Sequence, residues 1–367
     1  MATDAATANK KSDADMKISD WVYLVSQGIG NTILVILGMG LLINMLGTNF
    51  HSTALAEVGT MAQKLLAPAL GVTIAMMLRT TTLVTGATMI ASTVGANAVY
   101  FNTDPIAHAV TATGWHGAQA AGSVILTSGQ PVSAVLAGVF AACLGKWLTG
   151  KTPLDMVLVP FCVSFFGSLV GLGLAAVTTP ALNWVSEELA QTMKVSPIIG
   201  AALVSAAWFL FLMTPASSAA LAIAVQLDPM SAGAALIGTT VAFVSFTAMS
   251  YRQNTMGANI AQTLVTPKIQ FSNLLKNPML AGGPLAVAAI CAVFAVVFFN
   301  FKVPYSIGGL GLNSLIAPLW LATNNHQGLI LLIAFGIVIP VVASWMYYKM
   351  MTLAGRTKAN DLKITEL

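Results

Sequence analysis

Two short stretches rich in hydroxyl side chains have the composition of a binding site for a polar solute. They read Thr80-Thr-Thr-Leu-Val-Thr-Gly86 and Thr214-Pro-Ala-Ser-Ser218, and each interrupts an apolar run. Hydroxyl groups donate and accept hydrogen bonds, and a broken helix adds unpaired backbone groups, so such breaks can bind an uncharged polyhydroxylated molecule. The same hydroxyl groups could instead bond only to their own helices or join neighbouring helices. The candidate solute ligands are Thr82, Thr85, Thr214, Ser217 and Ser218.

Further polar side chains are second candidates for the solute path or for a gate. Gln130 and Asp228 each precede a proline that opens an apolar run, and Asn313 lies in a Gly-rich stretch. Ionisable groups inside a membrane are costly and therefore indicate function. The candidates for a cytoplasmic gate, or for a docking point of a soluble partner, are Arg79, Arg252 and Asn254. Both arginines could equally mark only the ends of apolar runs.

The sequence carries no pattern typical of hydrolytic, metal or nucleotide chemistry. Asp104, His108 and His116 lie close together, without the spacing of an HExxH or paired-cysteine metal site. The three cysteines all lie inside apolar runs, so no disulfide framework is indicated: Cys143, Cys162 and Cys291. We therefore expect no catalytic residue, no metal and no other cofactor, and enzymatic activity of the chain by itself stays open.

The composition identifies the elements that must position these side chains. Hydrophobic residues make up 57% of the 367 residues and charged residues only 8%, against roughly 25% in soluble domains. The mean hydropathy is +0.82. So few charges exclude a soluble globule of this size and indicate a polytopic, all-α membrane protein. The net charge of +4 therefore reports membrane topology and does not indicate a nucleic-acid partner.

About ten apolar runs are candidates for transmembrane helices, several of them short and bounded by Pro or Gly. They cover residues 21–46, 65–78, 83–100, 131–147, 154–182, 197–213, 216–227, 230–251, 279–301 and 328–348. Two other stretches, Gly117–Gly129 and Ser306–Leu321, are apolar but too short to span and rich in small residues. We expect them to be re-entrant segments that line a cavity, with surface loops as the alternative.

The basic residues predict the orientation. With a cytoplasmic N-terminus, all of the 16 Lys and Arg residues fall on the cytoplasmic side except Lys64, Lys194 and Lys302. This bias follows the positive-inside rule and places both termini in the cytoplasm. Residues 1–20 and 349–367 are then cytoplasmic tails, and residues 21–348 form the transmembrane domain.

The two halves of that domain share a pattern at matching places. Gln130-Pro131-Val-Ser133 corresponds to Asp228-Pro229-Met-Ser231, and the two hydroxyl-rich breaks precede these motifs. The matched runs have the same predicted direction. We therefore expect a parallel internal repeat, with halves at about residues 31–150 and 163–252. Transporters place substrate sites at such repeat interfaces, although chance similarity of small residues is the alternative.

Several motifs resemble the membrane component IIC of the bacterial sugar phosphotransferase system. The longest runs from Thr214 to Pro267 and is followed by NLLKNP; GIGNTILVILGMGLL, SGQPVSAVLAG and GGLGLNS support the same family. Within it, the chain looks like the branch that includes PfoR-like regulator proteins. The resemblance covers nearly the whole membrane portion.

The resemblance implies a permease of the bacterial inner membrane that binds and translocates a sugar or similar small polar solute. It also implies a soluble IIB protein as partner, contact with lipid, and a homodimer. Phosphotransfer would need separate IIA and IIB proteins, and Arg252-Gln-Asn254 stands where an acidic residue would be expected after the arginine. Two alternatives remain: a solute sensor without phosphotransfer, and an ion-coupled transporter with Asp228 as ion ligand.

Overall fold

The fold is predominantly helical, with a small β-structure inserted in the first half. It was derived from a computed structural model, which describes residues 16–111, 113–214, 218–224 and 227–364. The predicted N-terminal tail therefore lies largely outside the described residues, and so does Ser217. Two helical bundles, one from each half of the chain, hold the apolar clusters of the core.

The chain begins with a long helix that changes its winding once. α1 (Ile18–Ile33) continues through a π-helical segment, Leu34–Met39, into α2 (Gly40–Asn49). Two helices follow, α3 (Thr53–Lys64) and α4 (Leu66–Met77), which are bent by 51° where they meet. Such a pair is either one broken span or a re-entrant hairpin.

The first bundle is completed by three helices that pack closely. α5 (Thr82–Gly95), α6 (Pro131–Leu148) and α7 (Asp155–Val195) contact one another. A Cβ atom added at Gly171 of α7 would lie 2.9 Å from the Cα atom of Gly95. The glycine-rich face of α7 thus permits close helix packing, as small residues do in membranes.

A buried serine joins three helices of this bundle. The hydroxyl group of Ser92, on α5, lies within hydrogen-bond distance of the carbonyl oxygens of Ala67 on α4 (3.0 Å) and Ala134 on α6 (2.9 Å). Ser92 is fully buried. The hydroxyl group therefore serves interhelical packing, the role expected of most such groups in a membrane bundle.

Four short strands lie between α5 and α6 and correct the prediction of an all-α protein. β1 (Val99–Phe101) pairs with β4 (Val124–Leu126), and β2 (Ile106–Val110) pairs with β3 (His116–Gln119), both antiparallel. The predicted re-entrant segment at residues 117–129 is wrong, because most of it belongs to this largely exposed ribbon. Each strand pairs along one edge only, and the ribbon is largely exposed, so the backbone groups of the other edges can face solvent.

The second bundle is built around one buried helix. α8 (Pro197–Met213), α10 (Pro229–Ser250) and α13 (Met279–Ala292), which continues as a π-helix at Val293–Phe298, contact one another. α9 (Ser218–Ala224) is a short helix before α10. Large aromatic side chains of α8 and α10 are fully buried between them: Trp208, Phe209, Phe243 and Phe246.

The connection after α10 is irregular and largely buried. α11 (Met256–Ile260) continues into a π-helical turn, Ala261–Val265. A 3₁₀ turn, Pro267–Gln270, then leads into α12 (Phe271–Lys276). Irregular backbone at membrane depth survives only where protein or a wet cavity covers it, so this connection is a candidate wall of a solute path.

A second irregular segment follows α13. It consists of α14 (Tyr305–Gly308), a tight turn at Asn313–Leu315 and α15 (Ile316–Asn324). This is the second predicted re-entrant segment, and it is broken and partly buried as such a segment would be. Its depth in a bilayer stays a prediction.

The last helix of the chain is long and ends beyond the predicted domain boundary. α16 (His326–Leu331) continues through a π-helical segment, Leu332–Val338, into α17 (Ile339–Leu353). The predicted C-terminal tail from residue 349 therefore starts inside a helix.

Five described helices are long and apolar enough to cross a membrane, or six if the bent pair α3–α4 counts as one span. The predicted number of about ten is therefore too high by this measure. Several predicted spans are shorter helices, among them α5 and α8, and the predicted span at 216–227 contains only α9 among its described residues. Apolar composition alone did not distinguish a full span from a short buried helix.

Candidate functional site

The two irregular segments meet against the middle of α10. The π-helical turn Ala261–Val265 contacts both α10 and the turn Asn313–Leu315, and the latter also contacts α2. Gly311 lies directly on α10, since a Cβ atom there would stand 2.7 Å from the Phe243 ring. We call this meeting point the junction. It brings together backbone from both halves of the chain.

Polar side chains line the junction. The hydroxyl oxygens of Thr247 on α10 and Thr263 on the π-helical turn are 2.7 Å apart. The Ser314 hydroxyl donates to the side-chain oxygen of Asn313 at 2.9 Å. Thr247, Thr263 and Asn313 are all partly exposed, although the residue before each of them is buried. Hydroxyl and amide groups in this setting can exchange partners with a polar solute.

The turn at Asn313 holds a strained backbone. Ser314 and Leu315 both adopt left-handed conformations, with φ of 50° and 57°, and Gly311 has φ of 59°. A non-glycine residue in this region costs roughly 1–3 kcal/mol and is held there by its surroundings. Two such residues in succession are typical of a site where backbone shape serves function.

A buried lysine closes the end of α8 beside the junction. The ammonium group of Lys268 donates to the carbonyl oxygens of Thr214 (2.5 Å) and Phe211 (3.4 Å). Only 5% of Lys268 is exposed, and burial lowers the pKa of its side chain to about 7. The backbone of Lys268 packs against Gly30 of α1. A cation at a helix C-terminus is favourable because it meets unpaired carbonyl groups.

The second predicted break is engaged by structural hydrogen bonds. The Thr214 hydroxyl donates to the carbonyl oxygen of Phe211 at 3.0 Å. The buried Ser218 hydroxyl donates to the carbonyl oxygen of Gly309 at 2.8 Å, and the Ser218 carbonyl accepts from the Trp208 indole at 3.1 Å. These bonds join α9 to α8 and to the segment that leads to Asn313.

The first predicted break forms a separate polar cluster. Thr85 donates to the carbonyl oxygen of Thr81 at 3.0 Å, and Thr82 is exposed. Arg79 has a left-handed backbone with φ of 56°, and its guanidinium lies 5.6 Å from the centroid of the Trp21 ring. Arg79 therefore ends α4 beside the start of α1.

The two breaks share α7 as a neighbour but otherwise pack on different helices. α5 packs on α4, α6 and α7, whereas α9 packs on α7, α8 and α14. The predicted solute ligands Thr82 and Thr85 thus lie in one bundle, and Thr214 and Ser218 in the other. Asn313 is the predicted ligand that lies at the junction itself.

Gln130 and Asp228 have the same local role at the start of α6 and of α10. The side-chain oxygen of Gln130 accepts from the Val132 amide at 2.8 Å. Asp228 accepts from the amides of Met230 (3.0 Å) and Ser231 (3.2 Å). Each residue is the N-cap of a helix whose first position is proline, which satisfies orphan amide groups. The matched local geometry supports the proposal of an internal repeat.

Besides Arg79, the predicted gate residues are Arg252, which is exposed, and Asn254, which is hydrogen-bonded. Arg252 is exposed beyond the end of α10. Asn254 is partly buried, and its side-chain nitrogen donates to the carbonyl oxygen of Leu362 at 3.0 Å. Its side-chain oxygen accepts from the Ile364 amide at 2.7 Å. Asn254 therefore holds the C-terminal segment of the same chain.

The most polar part of the interior carries no sequence motif that predicts a site. Gln262, Gln270 and Lys268 are buried in the connection after α10, but that stretch looked like an exposed inner loop. The signal was present in the density of side-chain amides between residues 253 and 277: Gln253, Asn254, Asn259, Gln262, Gln270, Asn273 and Asn277. Within the described residues, no group of three or more His, Cys, Asp or Glu side chains could hold a metal ion.

These features define a multi-pass, mostly helical membrane protein whose broken segments meet inside the second bundle, an arrangement found in transporters. The family can be named from the sequence: a family model described as Phosphotransferase system, EIIC, matches residues 23–364, and the chain belongs to this family. It is therefore a membrane transport protein with an EIIC permease domain. The family implies a sugar-like substrate and a IIB partner. No curated protein and no solved structure matches the chain.

Proposed function

We propose that this EIIC permease binds a neutral, sugar-like solute at the junction and translocates it across the bacterial inner membrane. The observation that carries the proposal is the contact between the turns at Ala261–Val265 and Asn313–Leu315 over α10. Asn313, Thr247 and Thr263 supply the hydrogen-bonding groups. Substrate sites formed by broken segments near the middle of a bundle are typical of transporters.

The chemistry of the junction favours a solute with hydroxyl groups. The Thr247 and Thr263 hydroxyl groups contact each other and also lie within hydrogen-bond distance of the carbonyl oxygens of Phe243 (3.2 Å) and Asn259 (2.7 Å). They therefore offer oxygen lone pairs to a solute, and the Asn313 amide nitrogen offers a donor. A sugar hydroxyl both donates and accepts, so it can bond to either kind of group. Ser218 and Thr214 support this site through the backbone of α8 and the segment before Asn313, and the proposal does not make them direct ligands of the solute.

Phosphoryl transfer is assigned in this proposal to separate IIA and IIB proteins. Asp228 lies directly before α10, and its side-chain oxygens accept hydrogen bonds from the amides of Met230 and Ser231. That carboxylate caps a helix and is not placed to take a proton from a solute at the junction. Binding and translocation are therefore the functions of this chain.

A sensor without phosphotransfer is the second candidate, in line with the proposed PfoR-like branch. The observation that favours it is the attachment of the segment after α17 to Asn254 and Gln270, which couples this segment to the interior. A transporter moves labelled solute into proteoliposomes, whereas a sensor binds solute without flux. Flux measured with and without a IIB protein separates the two.

We also propose the orientation and assembly. The start of α1 lies at the same end of the molecule as Arg79 and Lys276, because Trp21 and Tyr23 contact these cations. By the positive-inside rule this end is cytoplasmic, with both termini inside. A homodimer is proposed from the resemblance alone, and the mass of the purified protein in detergent tests it.

The site is tested by binding. A thermal-shift screen with glucose, N-acetylglucosamine, mannitol, galactitol and their phosphates identifies a ligand, and calorimetry then gives its affinity. We expect Asn313→Ala and Thr263→Val each to weaken binding at least tenfold, about 1.4 kcal/mol. Asn324→Ala is the matched control, because Asn324 is exposed on the same segment and bonds to Trp320. Equal affinity in all variants would remove the junction as the site.

A further inference from the structure

The C-terminal segment Asp361–Ile364 lies in a groove lined by side-chain amides. The carbonyl oxygen of Leu362 accepts from both Asn254 and Gln270, each at 3.0 Å. The Leu362 side chain is fully buried and belongs to the apolar core of the second bundle. A chain end that looks like a polar tail in sequence is thus part of the packed structure.

The groove satisfies the backbone of this segment on both sides. The Gln253 side-chain oxygen accepts from the Leu362 amide at 3.0 Å, and Asn273 donates to the carbonyl oxygen of Lys363 at 3.1 Å. Asn254 adds a donor to the carbonyl oxygen of Leu362 and an acceptor for the amide of Ile364. Side-chain donors of the groove thus bond to carbonyl groups of the segment, and side-chain acceptors bond to its amide groups. Main-chain pairing of this kind supplies affinity that does not depend on side-chain identity.

Side-chain amides connect this groove to the junction. Gln270 donates to the side-chain oxygen of Gln262 at 2.9 Å, and Gln262 donates to the Ser250 hydroxyl at 2.9 Å. Gln262 precedes Thr263, whose hydroxyl contacts Thr247. Occupation of the groove therefore fixes the acceptors and donors that position the inner wall of the junction.

The segment is separate from the last helix, so its departure would not require a helix to unfold. α17 ends at Leu353, and residues 354–360 are mostly exposed. Gly355 and Asn360 have φ of 68° and 63°, so turns lie at both ends of this linker. Leu362 is the one large apolar side chain of the segment that is buried. The other attachments are hydrogen bonds that water can replace.

We propose that Asp361–Ile364 is a releasable strap that closes the inner side of the junction. While the strap is bound, the connection between α10 and α12 is held against α10, and the path from the junction to the inner face is shut. When it leaves, the groove amides lose their partners and residues 256–270 become mobile. The inference rests on the proposed function only in taking the junction as the solute site.

Hydrogen–deuterium exchange in nanodiscs tests the strap without a known solute. Three chains are compared: the full chain, a chain that ends at Asn360, and a control that ends at Ile364. We expect the chain that ends at Asn360 to exchange at least tenfold faster over residues 256–270, with α10 unchanged. The control should match the full chain. Equal exchange in all three chains would overturn the proposal.

Two further measurements guard against a truncated chain that fails to fold. Asn254→Asp keeps the strap and the acceptor for Ile364 but removes the donor to Leu362. It should therefore also raise exchange over residues 256–270, whereas Asn324→Asp should not.

A synthetic peptide of residues 355–367, added to the chain that ends at Asn360, should restore protection of residues 256–270, whereas a scrambled peptide should not. Unchanged exchange in Asn254→Asp, or restoration by both peptides, would overturn the strap. Loss of solute binding in Asn313→Ala without altered exchange separates the site from the strap.

Discussion

The ammonium group of Lys268 caps the end of α8 by donating to the carbonyl oxygen of Thr214 at 2.5 Å. Lys146 does the same for α4, donating to the carbonyl oxygen of Leu78 at 2.8 Å. α4 and α8 are the helices that precede the two hydroxyl-rich breaks, so a lysine closes both. The two lysines differ in setting, since Lys146 also lies 4.1 Å from the centroid of the Trp21 ring.

The buried setting of Lys268 predicts how its contribution to stability depends on pH. Burial lowers the pKa of Lys268 from 10.5 to about 7, so between these values the unfolded chain binds a proton that the folded chain does not. The contribution of Lys268 to stability therefore rises with pH in this window. We expect wild type to gain stability relative to Lys268→Met from pH 7 to pH 10, measured as thermal midpoints in detergent.

Lys151→Met is the control for this experiment, because Lys151 is exposed and lies over the Trp147 ring. Its difference from wild type over the same pH range measures the effect of removing an exposed lysine, and the trend for Lys268→Met is compared with it. The same trend for both variants would show that Lys268 keeps its proton throughout, held by the two carbonyl groups.

Close packing of α7 predicts opposite effects of the same substitution at two neighbouring glycines. At Gly171 a Cβ atom would meet backbone of α5, at 2.9 Å from Gly95 Cα and 3.2 Å from the Ala91 carbonyl oxygen. At Gly173 it would meet nothing within 4 Å. Gly171→Ala should cost about 1–3 kcal/mol through overpacking, and Gly173→Ala should be neutral or stabilising by up to about 1 kcal/mol. Thermal midpoints in detergent check both, and equal midpoints would contradict the packing of α7 on α5.

The sequence predicted well those features that depend on local chemistry. Pro131 and Pro229 each occupy the first turn of a helix behind the N-cap residues Gln130 and Asp228. This follows from proline geometry, which is a property of a short sequence window. Membership of the EIIC family was likewise visible in the motifs.

The features that could not be predicted from the sequence depend on contacts between residues far apart in the chain. The strands at residues 99–126 pair across the sequence, and their short apolar stretches do not differ in composition from a re-entrant segment. Leu362 bonds with Gln253 and Asn254, more than a hundred residues away. Lys268 was expected to lie in a loop on the cytoplasmic side. Its ammonium group is held by backbone carbonyl groups, and no sequence motif predicts such partners.

The bond from Ser218 to Gly309 predicts that this hydroxyl stabilises the fold and does not bind solute directly. Ser218→Ala leaves the buried carbonyl of Gly309 without its donor, which should cost about 1–3 kcal/mol. Solute affinity of the folded fraction should change less than threefold. Thr82→Ala is the control, since Thr82 is exposed. A tenfold loss of affinity in Ser218→Ala with an unchanged thermal midpoint would make Ser218 a solute ligand.

The capping role of Asp228 predicts that its charge is dispensable for transport. Asparagine caps helices as well as aspartate does, so Asp228→Asn should preserve acceptance from Met230 and Ser231, whereas Asp228→Ala should lose about 0.5–2 kcal/mol of stability. We expect Asp228→Asn to retain solute flux in proteoliposomes, with or without a pH or Na⁺ gradient. A different result would identify Asp228 as an ion ligand: flux in wild type would depend on the gradient, and Asp228→Asn would lose this dependence without a change in thermal midpoint. The protein would then be an ion-coupled transporter, and ion binding would explain the acidic residue at this position.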